Sequence, residues 1–478
     1  MRRRTFLRAG GGSCLGLTLG AAAASSLATA RVDAVDDAFE PLGVVDVRGA
    51  AEAVVGDDGQ TVSLAATDGF VTVDVSEPTD PTVLAERRDL TVDDRPLTEI
   101  LDVKVDGDRL VVPGPANPAG DEEFYGFVLY DVSDPADPVV TGEPYETGYH
   151  IHNCYLDGDV LYLVGNGIET ERDGDVVEDN PLVVFDVAGD EPEELARWSL
   201  LEFEPDWADV GWRLRYLHDV YVHDGVAILA HWNAGTYLLD VSEPGDPRYR
   251  SHVTDTSLED QLALDAGEES DAHTELPGND HYSAVDETGE LLAVGRESWA
   301  TEPGEPEGAG GIDLFDVSDP DEPDYRATIE PPETDDASYR GGEWTTAHNF
   351  ELHDGRLYSS WYQGGVKVHD VSEPAEPVEL AGWEDRDAAG FWTARVADET
   401  IVASSTPLIP NASTDGALYT FPTGPGTDSA EDGPTDHADT RDRDGAPAVD
   451  RTAGFTVLAA LTGGAIALER GRRRLRND

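Results

Sequence analysis

Lysine is almost missing from this chain. Only Lys104 and Lys367 occur in 478 residues, while Lys and Arg together number 32 and Asp and Glu 99, for a formal net charge of −67. No basic stripe exists to meet phosphate, so nucleic acid is not an expected partner. In low salt such a chain repels itself. At about 1 M salt the Debye length falls to about 3 Å and the repulsion is screened. Cysteine is as scarce: Cys14 and Cys154 are the two present. If an N-terminal segment holding Cys14 is removed, no intrachain disulfide is available, and the fold must hold by packing. Also absent are G-x-S-x-G, H-E-x-x-H, P-loop and dinucleotide fingerprints. Carboxylates are so abundant that no Asp/Glu pair stands out as an acid/base couple. A charge this high is common in disordered chains, but regular strand-like runs and nine tryptophans argue for a packed core.

What is present is one short stretch, repeated. It reads VDVSEPTDP from Val73, YDVSDPADP from Tyr130, LDVSEPGDP from Leu239, FDVSDPDEP from Phe315 and HDVSEPAEP from His369, with a degenerate FDVAGDEPE from Phe185. Each copy follows a β-branched or aromatic run, which reads as a strand. The Asp can take backbone N–H groups in an Asx-type turn, and the prolines end the ladder. The aspartates recur at intervals of 57, 55, 54, 76 and 54 residues. A period of this length built only of strands predicts one four-stranded propeller blade per repeat. The long interval carries an acidic insertion, residues 255–280, read as a loop.

Seven blades are expected, starting near Ala51, Glu99, His150, Tyr216, Asp280, Thr346 and Phe391. The seventh has no DVSEP turn and no outer strand after Phe421. The stretch from Phe39, FEPLGVVD, matches the stretch after each turn, so the N-terminal strand is expected to complete the last blade and close the ring. The expected fold class is therefore all-β, a seven-bladed β-propeller over residues 39–422. In its repeats the chain resembles the LVIVD-repeat family of surface β-propeller proteins of archaea and bacteria. That resemblance implies the fold and says little about activity. The acidic excess, with arginine in place of lysine, is similar to that of haloarchaeal proteins.

The flanks read as address signals. Arg3-Arg4-Thr5-Phe6-Leu7-Arg8 resembles a twin-arginine motif, followed by a small, mildly apolar stretch and Ala28-Thr29-Ala30 as a cleavage site, so residues 1–30 read as a Tat export signal, or alternatively as a retained anchor. Residues 423–450 are rich in Gly, Pro, Thr and Asp and read as an acidic, disordered linker. Residues 451–478 hold an apolar run, shorter than the roughly 20 residues of a spanning helix, then an arginine cluster. This tail resembles the PGF-type C-terminal sorting signals of archaeal surface proteins, although Ala453 stands where that motif has Pro; a helix packed on the propeller is the other reading. The expected location is the extracellular face of the membrane, held there by the tail. Asn411-Ala412-Ser413 is a glycosylation sequon.

The chemistry-bearing pattern is histidine. His152, His218, His281 and His348 open the first strand of four consecutive blades. Leu101 and Trp392 hold that place in the second and seventh. Inner strands line a propeller's channel, so these residues are expected to form a ring at one mouth, where facing imidazoles suit Zn, Cu, Fe or Ni. The other reading is structural, each His bonding backbone between blades, and a repeat multiplies any structural residue. Asn153, Asp219 and Asn349, next in line, are second-sphere partners or turn caps. His223, His353 and His369 are expected to be solvated. Trp232, Trp299 and Trp361 are expected to pack between blades rather than form an aromatic rim. Two functions follow: a binding or interaction module taking a protein, small-molecule or glycan ligand at the cell surface, or a metal-dependent oxidoreductase or hydrolase using the histidine ring.

Overall fold

The computed structural model describes residues 39–424 apart from Asp173. The export-signal segment, the tail and nearly all of the linker lie outside the described residues. Among the described residues no helix is long and apolar enough to cross a membrane.

Seven four-stranded antiparallel sheets follow one another, each running from inner to outer strand in chain order, save the last. Their innermost strands are Ala53–Val55, Lys104–Asp106, His150–Asp157, Asp219–His223, Asp280–Val285, Phe350–His353 and Phe391–Ala397, defining blades 1 to 7. Each adjoins the next, and the seventh adjoins the first, so the ring is closed. The middle strands are covered on both faces by neighbouring blades. They therefore read as near-continuous buried runs, such as Gly69–Asp74 and Leu182–Asp186, rather than as alternating ones. The outer strands are largely exposed, as in Val139–Glu146 and Glu193–Trp198.

The repeat does what its chemistry predicts. In Asp74, Asp131, Asp186, Asp240, Asp316 and Asp370 the carboxylate accepts the backbone N–H two residues on, at 2.8–3.0 Å. Bonds from Ser318 and from Arg326 hold the Asp316 carboxyl down to about 2. In all six blades the register shifts within the third strand, one to four residues before this Asp. Such a bulge bends the outer edge and increases its twist.

Closure occurs as the missing strand predicts. Gly43–Asp46 pairs antiparallel with Ala417–Pro422, as the outer strand of blade 7. Phe39 stacks on Phe421 at 5.5 Å, and Thr420 Oγ1 donates to the Pro78 carbonyl in the turn of blade 1 at 2.5 Å. Ends of the propeller that lie far apart in sequence are thus tied by sheet, ring stacking and turn.

The acidic insertion differs from the expected loop. It carries two short helices, Leu258–Leu262 and Glu268–Ala272. The first is started by a capping box, Ser257 and Asp260 each bonding the other's backbone N–H, which satisfies donors that a helix start leaves open. Three further short helices, Leu200–Phe203, Pro205–Asp209 and Trp212–Arg215, join blades 3 and 4.

Candidate functional site

The four histidines lie side by side, in chain order. His152, His218, His281 and His348 are each at most 1 % exposed. Their ring centroids follow one another at 4.5, 4.2 and 4.8 Å. The same place is held by Ala51, Leu101 and Trp392 in blades 1, 2 and 7. The imidazoles therefore occupy one arc of the channel and face an apolar arc. Ala51, Leu101 and Trp392 belong to one continuous cluster with Trp299, Trp344 and Tyr362.

Three of the rings are oriented by carbonyl oxygens. The Nδ1 atoms of His152, His218 and His348 lie 2.8, 3.0 and 2.5 Å from the carbonyls of Ala116, His281 and Trp392 in adjoining blades. A carbonyl only accepts, so each Nδ1 carries its proton and each Nε2 keeps a lone pair. Nε2 of His152 and of His348 has no hydrogen-bond partner, and His281 has none at either nitrogen. Burial pushes His152 down to about 4 and His348 to about 3, and drives His218 and His281 well below the ordinary range. The rings are neutral at neutral pH, the form that binds metal.

Asn153, Asp219 and Asn349 do not orient the rings. They reach sideways into a buried layer one step down the channel. Asn153 Nδ2 donates to Asp219 Oδ2 and Asn349 Nδ2 to Glu52 Oε2, both at 2.8 Å. Arg395 pairs with Glu52 at 3.1 Å, and Lys104 with Asp102. This layer joins the blades through hydrogen bonds and ion pairs.

One carboxylate was invisible in the sequence. Glu297 follows the second strand of blade 5, and one of its oxygens lies 3.6 Å from His281 Nε2. One ligand atom each from His281, Glu297 and His348 all fall within 4.8 Å of one another. Tyr362 donates to the other Glu297 oxygen at 2.5 Å, and its ring lies 4.5 Å from that of His348. Burial pushes Glu297 up to about 8.

The tryptophans are buried, as expected for packing. Trp232 also stacks on His218 at 5.7 Å and 17°, and His273 of the insertion lies across Trp232. Trp232 and Tyr362 share a place in the turns HWNAG and WYQGG, with φ of 40° and 47°. Bulky residues rarely adopt this left-handed conformation. The turns end on Gly235 and Gly365, where a Cβ would strike the carbonyl of Val253 or Trp383. Of the histidines expected to be solvated, His353 is, paired with Glu287 at 2.8 Å, and His223 is partly so. His369 is buried at 6 % exposure, although it adjoins the exposed turn that begins at Asp370.

At the other end of the inner strands lies a cavity of about 230 Å³, lined by Tyr155, Tyr221, Tyr282, Phe350, Glu351 and Arg395 among others. It is separate from the histidine arc.

A family model described as the LVIVD repeat matches residues 64–87, within blade 1. No curated protein matches the chain. Among solved structures, the β-propeller domain of Myceliophteria thermophila Cps50 (Swd1) aligns with a TM-score of 0.52 at 9% identity, covering 80% of this chain and 99% of that one. The computationally designed Ika8 protein aligns at 0.45 and 9%, covering 80% and 99%. A hypothetical selenium-binding protein from Sulfolobus tokodaii aligns at 0.46 and 11%, covering 77% and 85%. At these identities the first likeness establishes the propeller fold, and none of them bears on activity.

Proposed function

We propose that the propeller is a cage for one transition-metal ion, held by the Nε2 atoms of His152, His218, His281 and His348, and that the protein carries out metal-dependent chemistry of the oxidoreductase or hydrolase class. One observation carries this reading. Four buried imidazoles lie side by side in successive blades, three with Nδ1 fixed on a carbonyl, the arrangement that prepares Nε2 as a ligand, and His281 and His348 bring their ligand atoms together with that of Glu297. Nε2 of His152 and of His348, and both ring nitrogens of His281, are left without a hydrogen bond, and a buried polar atom left so costs about 1–3 kcal/mol. Iron, copper, nickel and zinc all accept imidazole. The protein's part is to hold the rings, keep them neutral and exclude water.

The flanking segments support an exported protein held at the outer membrane face, the Tat-like segment giving export of a folded chain and the tail giving attachment. A second reading, a module binding a small molecule at the surface, draws on the cavity at the opposite mouth.

Elemental analysis of the protein folded in molar salt, with and without the double substitution H281A/H348A, tests the metal. About one equivalent of metal in the parent and little in the variant is expected. Equal metal in both, or none in the parent, overturns the reading.

A further inference from the structure

We propose that the cavity at the far end of the inner strands binds a small organic cation of the ammonium class, held between tyrosine rings and a rim of carboxylates. The proposal rests on the small-molecule reading above and deepens it; it is independent of the metal.

The residues that shape the cavity depart from the repeat. Three positions after His152, His218, His281, His348 and Trp392 stand Tyr155, Tyr221, Ala284, Glu351 and Arg395. All five line the cavity. The repeat holds histidine in four blades one tier above, whereas here no residue type recurs more than twice. Blade 5 has Ala284 where blades 3 and 4 have tyrosine. A methyl in place of a ring leaves a notch between Tyr221 and Glu351, in an interior that is otherwise close-packed. At about 230 Å³ the cavity is smaller than the roughly 300–1,000 Å³ of pockets for drug-sized molecules. Its ligand is therefore small.

The walls suit a cation. The rings of Tyr155 and Tyr221 lie 5.4 Å apart, and Tyr282 packs against Phe350 at 4.6 Å, edge to face. An aromatic face carries partial negative charge and attracts a cation within about 6 Å. Tyr282 already does so, since the Arg395 guanidinium lies 5.8 Å from its ring centroid.

The charges agree with the walls. Asp157, Asp224, Asp286, Glu287 and Glu351 line the cavity, against His223, His353 and Arg395. Arg395 is answered by Glu52 at 3.1 Å, from outside that lining. His353 answers Glu287 at 2.8 Å. The balance inside is negative. Partial burial, then the like charges of Asp106 and Asp224, raise the Asp157 carboxyl above its ordinary value. A cation in the cavity relieves that crowding, and an anion would add to it.

Tetramethylammonium is the probe, with tert-butyl alcohol as a neutral counterpart of similar shape. The full chain is folded in molar potassium chloride, where exposed charges are screened, and saturation-transfer NMR follows each probe. Tetramethylammonium is expected to bind, and the alcohol to bind at least about 10-fold more weakly. A284Y, which gives blade 5 the tyrosine of blades 3 and 4, is expected to abolish binding. E351Q keeps an acceptor for the Val396 N–H and is expected to weaken binding about 3- to 10-fold. Equal binding of the two probes overturns the cation and leaves the small-molecule reading standing. Binding of neither probe overturns both. Tetramethylammonium binding that survives A284Y and E351Q unchanged lies elsewhere on the acidic surface, and overturns the proposal.

Discussion

His218 and His281 are tied twice: Nδ1 of His218 donates to the carbonyl oxygen of His281 at 3.0 Å, and the two rings lie 4.2 Å apart. The backbone of one blade thus sets the ring of the blade before it. His281 itself has no hydrogen-bond partner on its ring. The two residues therefore respond differently to replacement. In metal-free protein, H218L strands a carbonyl and is expected to cost about 1–3 kcal/mol. H281L removes a buried, unpartnered polar group and is expected to be neutral or stabilising. Thermal melts in chelator read this. In the presence of metal, the order reverses for His281, because the parent gains stability from binding. Equal losses for both variants in chelator would mean that His281 has a structural bond of its own.

Ring closure offers a second measurement. Phe39 is 4 % exposed and stacks on Phe421. F39A should cost about 3–5 kcal/mol, and deletion of residues 39–47 should cost more, since it bares the edge strand Ala417–Pro422. An unchanged melting temperature in molar salt after the deletion would show that blade 7 does not need this strand.

Much of this architecture was legible in the repeat. An Asp that caps its own turn and a fixed interval leave few alternatives to a propeller, and a strand missing at one end with its match at the other predicts closure. The histidines were legible for the same reason: the repeat aligns them. Glu297 was not, because it occurs in one blade only and is one of 99 acidic residues. Glu52 and Arg395 were hidden too, since their pairing joins residues 343 apart in sequence. His369 was misread as solvated because it abuts the exposed turn, while burial is decided by the face of the sheet that its side chain takes.

The channel layer below the histidines makes a prediction about charge. Glu52 accepts from Arg395, Asn349 and Thr393 with both partners of the ion pair buried. Removing one partner leaves an uncompensated buried charge, at a cost of about 3–5 kcal/mol. R395M is expected to show that loss. The double variant E52Q/R395M is expected to recover a large part of it, a coupling that a double-mutant cycle in urea measures. Strict additivity would contradict the pairing.

Attachment through the tail is tested in cells. A chain ending after Asp450 should appear in the medium, while the full chain stays with the membrane. Recovery of both forms from the medium in equal proportion would exclude an anchor in residues 451–478.

Part of the acid sensitivity can be assigned to one side chain. His369 lies in the strand Val366–Asp370 at 6 % exposure, its Nδ1 unpartnered and its Nε2 3.9 Å from Glu379. Burial, and secondarily Lys367, push it down to about 4. In the unfolded chain the value is about 6.5. Between these two values the unfolded state takes up a proton that the folded state does not. The contribution to stability is therefore complete above about pH 6.5 and is lost as the pH falls toward 4. The full shift corresponds to roughly 3 kcal/mol. His231 shifts in the same direction, so the parent has more than one source of acid loss. H369F retains the volume and removes the titration. Urea unfolding at pH 7.5 and pH 4.5 should give the parent the steeper fall, by about 2–3 kcal/mol. Parallel falls in parent and variant would place the acid sensitivity elsewhere.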